Sequence, residues 1–227
     1  MTGMVIAVDG PSGVGKSTVC REVARRLGLS YLDTGATYRV AALHCLREGI
    51  DLEDDDDVAA AAETMNVRLV LDPDRPEVYL DHEEVSHAIR SEAVTMAVSE
   101  VATNIEVREI LGHLQRAIIA QEAAGGRSQG AGIVAEGRDI TTVVAPDASV
   151  RILMTADPDV RVARRAGETG PAGLASVREA VLGRDARDST VVDFHRAADG
   201  VVTLDTTFLT IDEVASAIVN LARSVSP

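Results

Sequence analysis

Lysine is nearly absent from this chain: of 22 basic residues among 227, 21 are arginine, and Lys16 stands alone. Tryptophan is missing, and three tyrosines and two phenylalanines bring the aromatic content to only 2%. That scarcity excludes the stacking platforms on which single-stranded nucleic acid is bound. A formal net charge of −14 opposes a polyanionic partner, because duplex DNA and anionic membranes are held by clustered basic residues. Any phosphate bound here is therefore expected to be small and locally held, with no nucleic-acid or membrane partner. The two cysteines, Cys20 and Cys45, show no Cys-x-x-Cys spacing and no histidine placed for zinc, so they read as small buried apolar residues. No apolar run approaches the roughly 18 residues of a membrane span, and residues 1–9 lack the basic-then-apolar order of a secretory leader. A reducing, cytoplasmic location is the expectation.

What is present suits one domain with small inserted parts, long enough to bury a core without disulfides or a partner chain. Residues 4–8 form a short apolar run that ends at Asp9 and Gly10, the pattern of a buried parallel strand feeding a turn. A helix is expected from about Lys16, with Val19, Val23, Ala24 and Leu27 on one face and Gly28 as its stop. Residues 31–32 suggest a short strand and 36–47 a helix, while the acidic run 51–57 reads as a solvated cap at the N-terminus of the next helix rather than a metal site. Alternation at Val67, Leu69 and Leu71, a turn over 73–76 and a return at 78–80 predict a small antiparallel insertion. Helical pattern follows over 91–123, broken near Thr103 and Asn104, and then a loop over 125–132. Strands are expected at 133–135, 150–154 and 201–204, the last leading to a helix with Ile211, Val214, Ile218 and Leu221. Strands alternating with helices argue an α/β fold with a parallel sheet flanked by helices.

Gly10, Pro11, Ser12, Gly13, Val14, Gly15, Lys16 and Ser17 match G-x-x-x-x-G-K-[ST] in full, between a predicted strand and a predicted helix. Glycines let backbone N–H groups converge on phosphate oxygens, and the helix start, with Thr18 in its first turn, adds partial positive charge. Lys16 is placed to reach the β- and γ-phosphates of a triphosphate such as ATP, and the Ser17 hydroxyl to ligate Mg2+. In a chain that uses arginine at every other basic position, a lysine here points to a need for a compact charge on a flexible stem. The same solitude excludes the Asn/Thr-Lys-x-Asp motif of guanine-specific switches.

Transfer to an alcohol benefits from a carboxylate base, whereas a nucleoside monophosphate acceptor is already ionised and needs alignment and charge neutralisation. Arginines then carry the chemistry. Candidates expected in loops or at loop edges are Arg39 after Asp33-Thr34-Gly35, Arg138 within Glu136-Gly137-Arg138-Asp139, and Arg184 and Arg187 near Asp188.

Taken together, the phosphate loop, Asp33-Thr34-Gly35 through Arg39, residues 85–90 with the preceding hairpin, residues 99–108, Glu136 through Asp139, and Arg184 through Thr190 make the chain resemble the bacterial cytidylate kinases, nucleoside monophosphate kinases of the P-loop class. The resemblance implies MgATP as donor and CMP or dCMP as acceptor. It implies a core over 1–63, 91–165 and 188–227, a monophosphate-binding β insertion over 64–90, and a lid over 166–187. By the same resemblance Arg39 and Arg138 would hold the acceptor phosphate, Thr34, Arg108 and Asp139 would face the cytosine, and Ser99, Arg184 and Asp188 would contact the sugar. Lys16, Arg138, Arg184 and Arg187 are the expected catalytic set, and Arg161, Arg164 and Arg165 the expected lid contacts to ATP. A monomer is the expected state.

Three departures from that family's pattern stand out. Thr190 is followed by Val191-Val192-Asp193-Phe194-His195-Arg196 where an arginine and a proline-containing stretch are usual, so a lid arginine is missing and His195 or Arg196 is the expected substitute. Thr141 replaces a glycine and is expected to restrict the backbone beside Asp139. The third is a glycine-rich lid tip at 167–173. The alternatives left open are a kinase for UMP, AMP or a phosphorylated metabolite, and a catalytically degraded nucleotide-binding protein.

Overall fold

The computed structural model describes residues 3–169 and 174–225. The chain opens with strand β1 (Met4–Asp9), helix α1 (Lys16–Leu27), β2 (Ser30–Asp33), α2 (Thr34–Glu48) and α3 (Asp55–Thr64). Three short strands follow, β3 (Val67–Val70), β4 (Glu77–Leu80) and β5 (Glu83–Glu84), and then a 3-10 turn at Ala88–Arg90. Next come α4 (Glu92–Thr103), α5 (Ile105–Ala124), β6 (Gly132–Gly137), a π turn at Ile140–Val144 and β7 (Val150–Thr155). Helices α6 (Pro158–Thr169) and α7 (Leu174–Asp188), strand β8 (Val202–Asp205) and helix α8 (Ile211–Val225) complete it.

Helix boundaries follow local chemistry. Helix α1 buries Val19, Cys20, Val23 and Ala24, and stops at Gly28, whose φ of 66° lets its N–H return to the carbonyls of Ala24 and Arg25. Helix α2 starts two residues before the expected position because the Asp33 carboxylate accepts the Ala36 N–H and caps it. Asp54 caps α3 in the same way, so the acidic run lies at a helix N-terminus as expected. The break between α4 and α5 falls at Asn104, whose side chain accepts the Val107 N–H at 3.0 Å.

The main sheet has the order β2-β6-β1-β7-β8, parallel throughout. Its register sets Asp9 beside Gly137 and Asp33 beside Glu136, so three carboxylates reach the same carboxyl-end edge. That edge, where neighbours of β1 are reached by crossovers in opposite directions, is where open α/β sheets bind ligands. One face is covered by α1 and α8 through Ile6, Val8, Val23, Ile152 and Ile218. The other carries Ile119 of α5 with Leu32, Ile133 and Ile140. Burying side chains of this kind contributes about 1.5–3 kcal/mol each.

The antiparallel insertion is a three-stranded sheet, β3-β4-β5, whose Val78 and Leu80 join Val85, Ile89, Val40 and Val98 in a separate core with α2 and α4. Helices α6 and α7 pair through Val162, Val177 and Val181. Of the arginines expected in loops or at loop edges, Arg39 lies in the expected helix α2, and Arg184 and Arg187 lie in the last turns of α7. Of the glycine-rich tip, residues 170–173 lie outside the described residues. No helix among the described residues is long and apolar enough to cross a membrane.

Candidate active site

The glycine loop between β1 and α1 passes close to β7 and α6. Gly10 has φ 153°, and a Cβ there would stand 2.3 Å from the Met154 carbonyl oxygen. At Gly13, with φ 80°, a Cβ would come within 2.6 Å of the Arg161 carbonyl oxygen. Only glycine fits either position. Lys16 Nζ donates to the carbonyls of Gly10 and Pro11 at 2.7 and 2.9 Å. Burial, helped by the nearby Arg138 charge, lowers its pKa to about 8.

Behind the loop stand the strand-end carboxylates. Asp9 is buried, and burial raises its pKa although it accepts the Ile140 N–H and both the N–H and the hydroxyl of Thr141. Thr141 is thus accommodated: its hydroxyl bonds Asp9 at 2.6 Å, and it anchors the π turn instead of straining it. Glu136 accepts Tyr31 Oη at 2.5 Å and hydrogen-bonds the Ser17 side chain, while burial, with Asp33 beside it, lifts its pKa to about 7.

The facing wall is made of arginines. Arg39 donates to the Ile89 carbonyl and to Thr95 at 3.0 and 3.1 Å. Burial, then the like charges of Arg184, Arg90 and Arg165, drives its pKa down to about 9. A pocket that strains its own cations in this way favours an anion. Arg108 pairs with Asp139, also donates to the Ala102 carbonyl at 3.1 Å, and lies 5.8 Å over the Tyr38 ring. Burial raises the Asp139 pKa, with Arg108 working against it. Thr34 donates to the Glu136 carbonyl at 2.7 Å, fixing the floor between the two walls.

Helix α7 closes one side. Asp185 accepts the Ser12 backbone N–H at 3.1 Å, Arg138 at 2.7 Å and Arg161 at 2.5 Å. It therefore ties the phosphate loop, α6 and α7 at one carboxylate. Arg138 also pairs with Asp188 at 3.1 Å. Asp188 Oδ1 is buried without a hydrogen-bond partner, a costly condition that a bound polar ligand would relieve, and Arg184 Nε meets Asp188 Oδ2 only at 3.6 Å, beyond hydrogen-bond distance.

The cleft brings together Ser12, Gly13, Gly15, Lys16, Ser17, Thr18, Thr34, Arg39, Arg108, Arg138, Asp139, Arg165, Arg184 and Asp188 of the expected site. Gly10, Pro11 and Val14 shape the loop from behind. Four expected residues lie elsewhere. Arg161, an expected lid contact, is buried and donates to the Ser12 carbonyl at 3.0 Å and to Asp185 at 2.5 Å. Ser99 is buried within α4 away from the cleft lining, Arg187 is exposed at the end of α7, and Arg164 binds Thr206 and the Val14 carbonyl. Neither expected substitute for the missing lid arginine lines the cleft: His195 Nε2 lies 2.8 Å from Ser189 Oγ, and Arg196 is exposed. Sequence reasoning missed Tyr38, Arg90, Glu136, Asp185 and Phe194. All but Tyr38's ring contact stood within reach of the motifs, Glu136 beside Arg138 and Asp185 beside Arg184, and Phe194 within the altered stretch after Thr190, but nothing in those stretches states what each meets.

A family model described as cytidylate kinase matches residues 6–224. A Streptomyces griseus protein named cytidylate kinase is 44% identical over 223 residues, covering 98% of this chain and 94% of the relative. One from Nocardia farcinica with the same name is 47% identical over 219 residues, covering 94% and 90%. Among solved structures, an uncharacterised Eubacterium ventriosum protein superposes with TM-score 0.51 at 11% identity, covering 97% of this chain and 98% of that one. A Thermus thermophilus protein does so with TM-score 0.50 at 18% identity over 100% of both chains, and these two likenesses bear on the fold alone. With its phosphate loop and arginine wall facing one cleft, and with a family match over almost its whole length, the chain belongs to the cytidylate kinase family.

Proposed function

We propose that the protein transfers the γ-phosphoryl group of MgATP to CMP and dCMP. The observation that carries this reading is the two-walled cleft, with the loop at 10–17 on one side and Arg39, Arg108, Arg138, Asp139 and Arg184 on the other. Loop N–H groups and Lys16 would hold the β- and γ-phosphates, and Arg165 would meet the donor from α6. Arg39, Arg138 and Arg184 would align the acceptor phosphate in line and neutralise charge as it builds on the transferred group. No general base is needed, since the attacking phosphate oxygen is already ionised.

An oxygen-donor set of Ser17 backed by Glu136 fits Mg2+, which keeps several waters and few protein ligands. When bound, that ion supplies charge neutralisation at the β- and γ-phosphates. Asp139, held by Arg108, would accept from the exocyclic amine of cytosine and repel the uracil carbonyl, a discrimination worth about 1–3 kcal/mol by analogy with base-edge recognition. The unbonded Asp188 Oδ1 and the long-paired Arg184 Nε beside it suit sugar hydroxyls. The free, buried cysteines and the net charge of −14 support a monomer working in a reducing cytoplasm.

A coupled ADP-release assay over CMP, dCMP, UMP and AMP tests the proposal. Turnover is expected to be fastest with CMP and dCMP. A preference for UMP or AMP, or binding of ATP and CMP with no ADP formed, would sink it.

A further inference from the structure

Phe194 is only 1% exposed, yet it belongs to none of the four apolar clusters found among the described residues. It stands in the irregular stretch between α7 and β8, where its neighbours in sequence are charged or polar. What meets the ring is a cation: the Arg138 guanidinium carbon lies 4.3 Å from its centroid. The His195 ring packs against it from another side, 4.5 Å away and inclined by 37°.

A buried ring placed this way does two things. Its negative face attracts the guanidinium, more strongly in a desolvated setting, and its bulk blocks the space on that side of the group. Arg138 has two further anchors, Asp185 at 2.7 Å and Asp188 at 3.1 Å. Two carboxylates fix where the fork points but leave it free to tilt about the line joining them. The ring removes that freedom.

We infer that Phe194 is a positioning residue for phosphoryl transfer, acting through Arg138 by holding its guanidinium over the ring and so aimed into the cleft. The inference rests on the proposed role of Arg138 toward the acceptor phosphate. It also gives the altered stretch after Thr190 a purpose. The segment contributes an aromatic support for an arginine already present, in place of an arginine of its own.

The test is a double-mutant cycle on the full chain with Phe194→Leu, Arg138→Ala and the pair, with kcat and KM measured separately for CMP and ATP and stability followed by urea unfolding. Phe194→Leu is expected to lower kcat/KM for CMP by about 5- to 30-fold, the worth of a desolvated cation–ring contact. KM for ATP should stay within about twofold of wild type, and Phe194→Tyr, which keeps the ring, should restore most of the loss. In the Arg138→Ala background, Phe194→Leu should cost nothing further. If Phe194→Leu does not fold, Phe194→Met fills the same space without a ring and takes its place. Equal losses in both backgrounds, or a fall in stability with no selective effect on CMP, overturn the inference. Full CMP turnover by Arg138→Ala would remove the role of Arg138 itself, and this inference with it; a crippled Arg138→Ala beside an unimpaired Phe194→Leu defeats the inference alone.

Discussion

Asp185→Asn tests whether the carboxylate joining three elements stabilises the closed arrangement of the cleft. Asp185 is 4% exposed and receives two guanidinium groups and one backbone N–H. Breaking a buried ion pair by removing one partner costs about 3–5 kcal/mol. Both arginines keep another acceptor, Asp188 at 3.1 Å for Arg138 and the Ser12 carbonyl at 3.0 Å for Arg161. The low end of the range therefore applies, and Asp185→Asn should lose about 3 kcal/mol. Urea unfolding at pH 7 should show this as a lower midpoint with an unchanged slope. A pH series adds an independent signature. Burial alone would raise the Asp185 pKa, but Arg138, the Ser12 N–H and Arg161 together hold it below the ordinary 3.8. Stabilisation from such a group is present above the unfolded value and is lost as pH falls through the folded one. Wild type and variant should accordingly converge in acid. A difference at pH 7 smaller than about 0.5 kcal/mol, of the size of an ordinary surface change, or one that is the same at every pH, would refute the reasoning.

Three other outcomes follow from the site. Asp139→Asn should cut the ratio of kcat/KM for CMP over UMP by about 5- to 100-fold, because the amide no longer repels the uracil carbonyl; an unchanged ratio would mean the base is read elsewhere. Glu136→Gln should gain on wild type as pH rises from about 4.5 to about 7, since burial raises the folded pKa to about 7 and the stability this gives is lost as pH rises through it. Paired urea titrations that stay parallel across that interval would contradict this. Lys16→Arg should remain at least about 100-fold impaired in kcat despite keeping its charge, because a planar fork cannot replace the compact ammonium beside the Gly10 and Pro11 carbonyls.

Much of the cleft was legible because its chemistry is written in contiguous stretches. The loop from Gly10 to Ser17 combines a required residue order with a required place between strand and helix, and Glu136 to Asp139 ends the neighbouring strand. The remainder depends on where distant segments land. Asp185 is one of 36 acidic residues, and nothing local says that it meets Ser12, 173 positions earlier. Phe194 has no periodic apolar company to mark it as buried, and the polar His195 and Arg196 beside it are the stronger local signal. The same blindness to docking explains Arg187. It shares a helix with Arg184 and, three residues on, lies toward the same face, yet at the last turn of α7 it is exposed, which its spacing does not reveal. Thr141 was flagged for its backbone, while its hydroxyl partner Asp9 lies 132 positions away.

The strand order has a consequence for how the molecule is made. Strand β1 carries the phosphate loop, but both its partners come far later: β6 begins at Gly132 and β7 at Val150. During synthesis, β1 and its glycines leave the ribosome more than a hundred residues ahead of anything they can pair with. Contacts of such sequence separation close slowly, because the entropy of a long loop must be lost before the sheet rewards it. Residues 36–111, whose helices and small antiparallel sheet form a core of their own, can gather meanwhile. The segment that would grip the triphosphate is thus translated well before the strands that seat it.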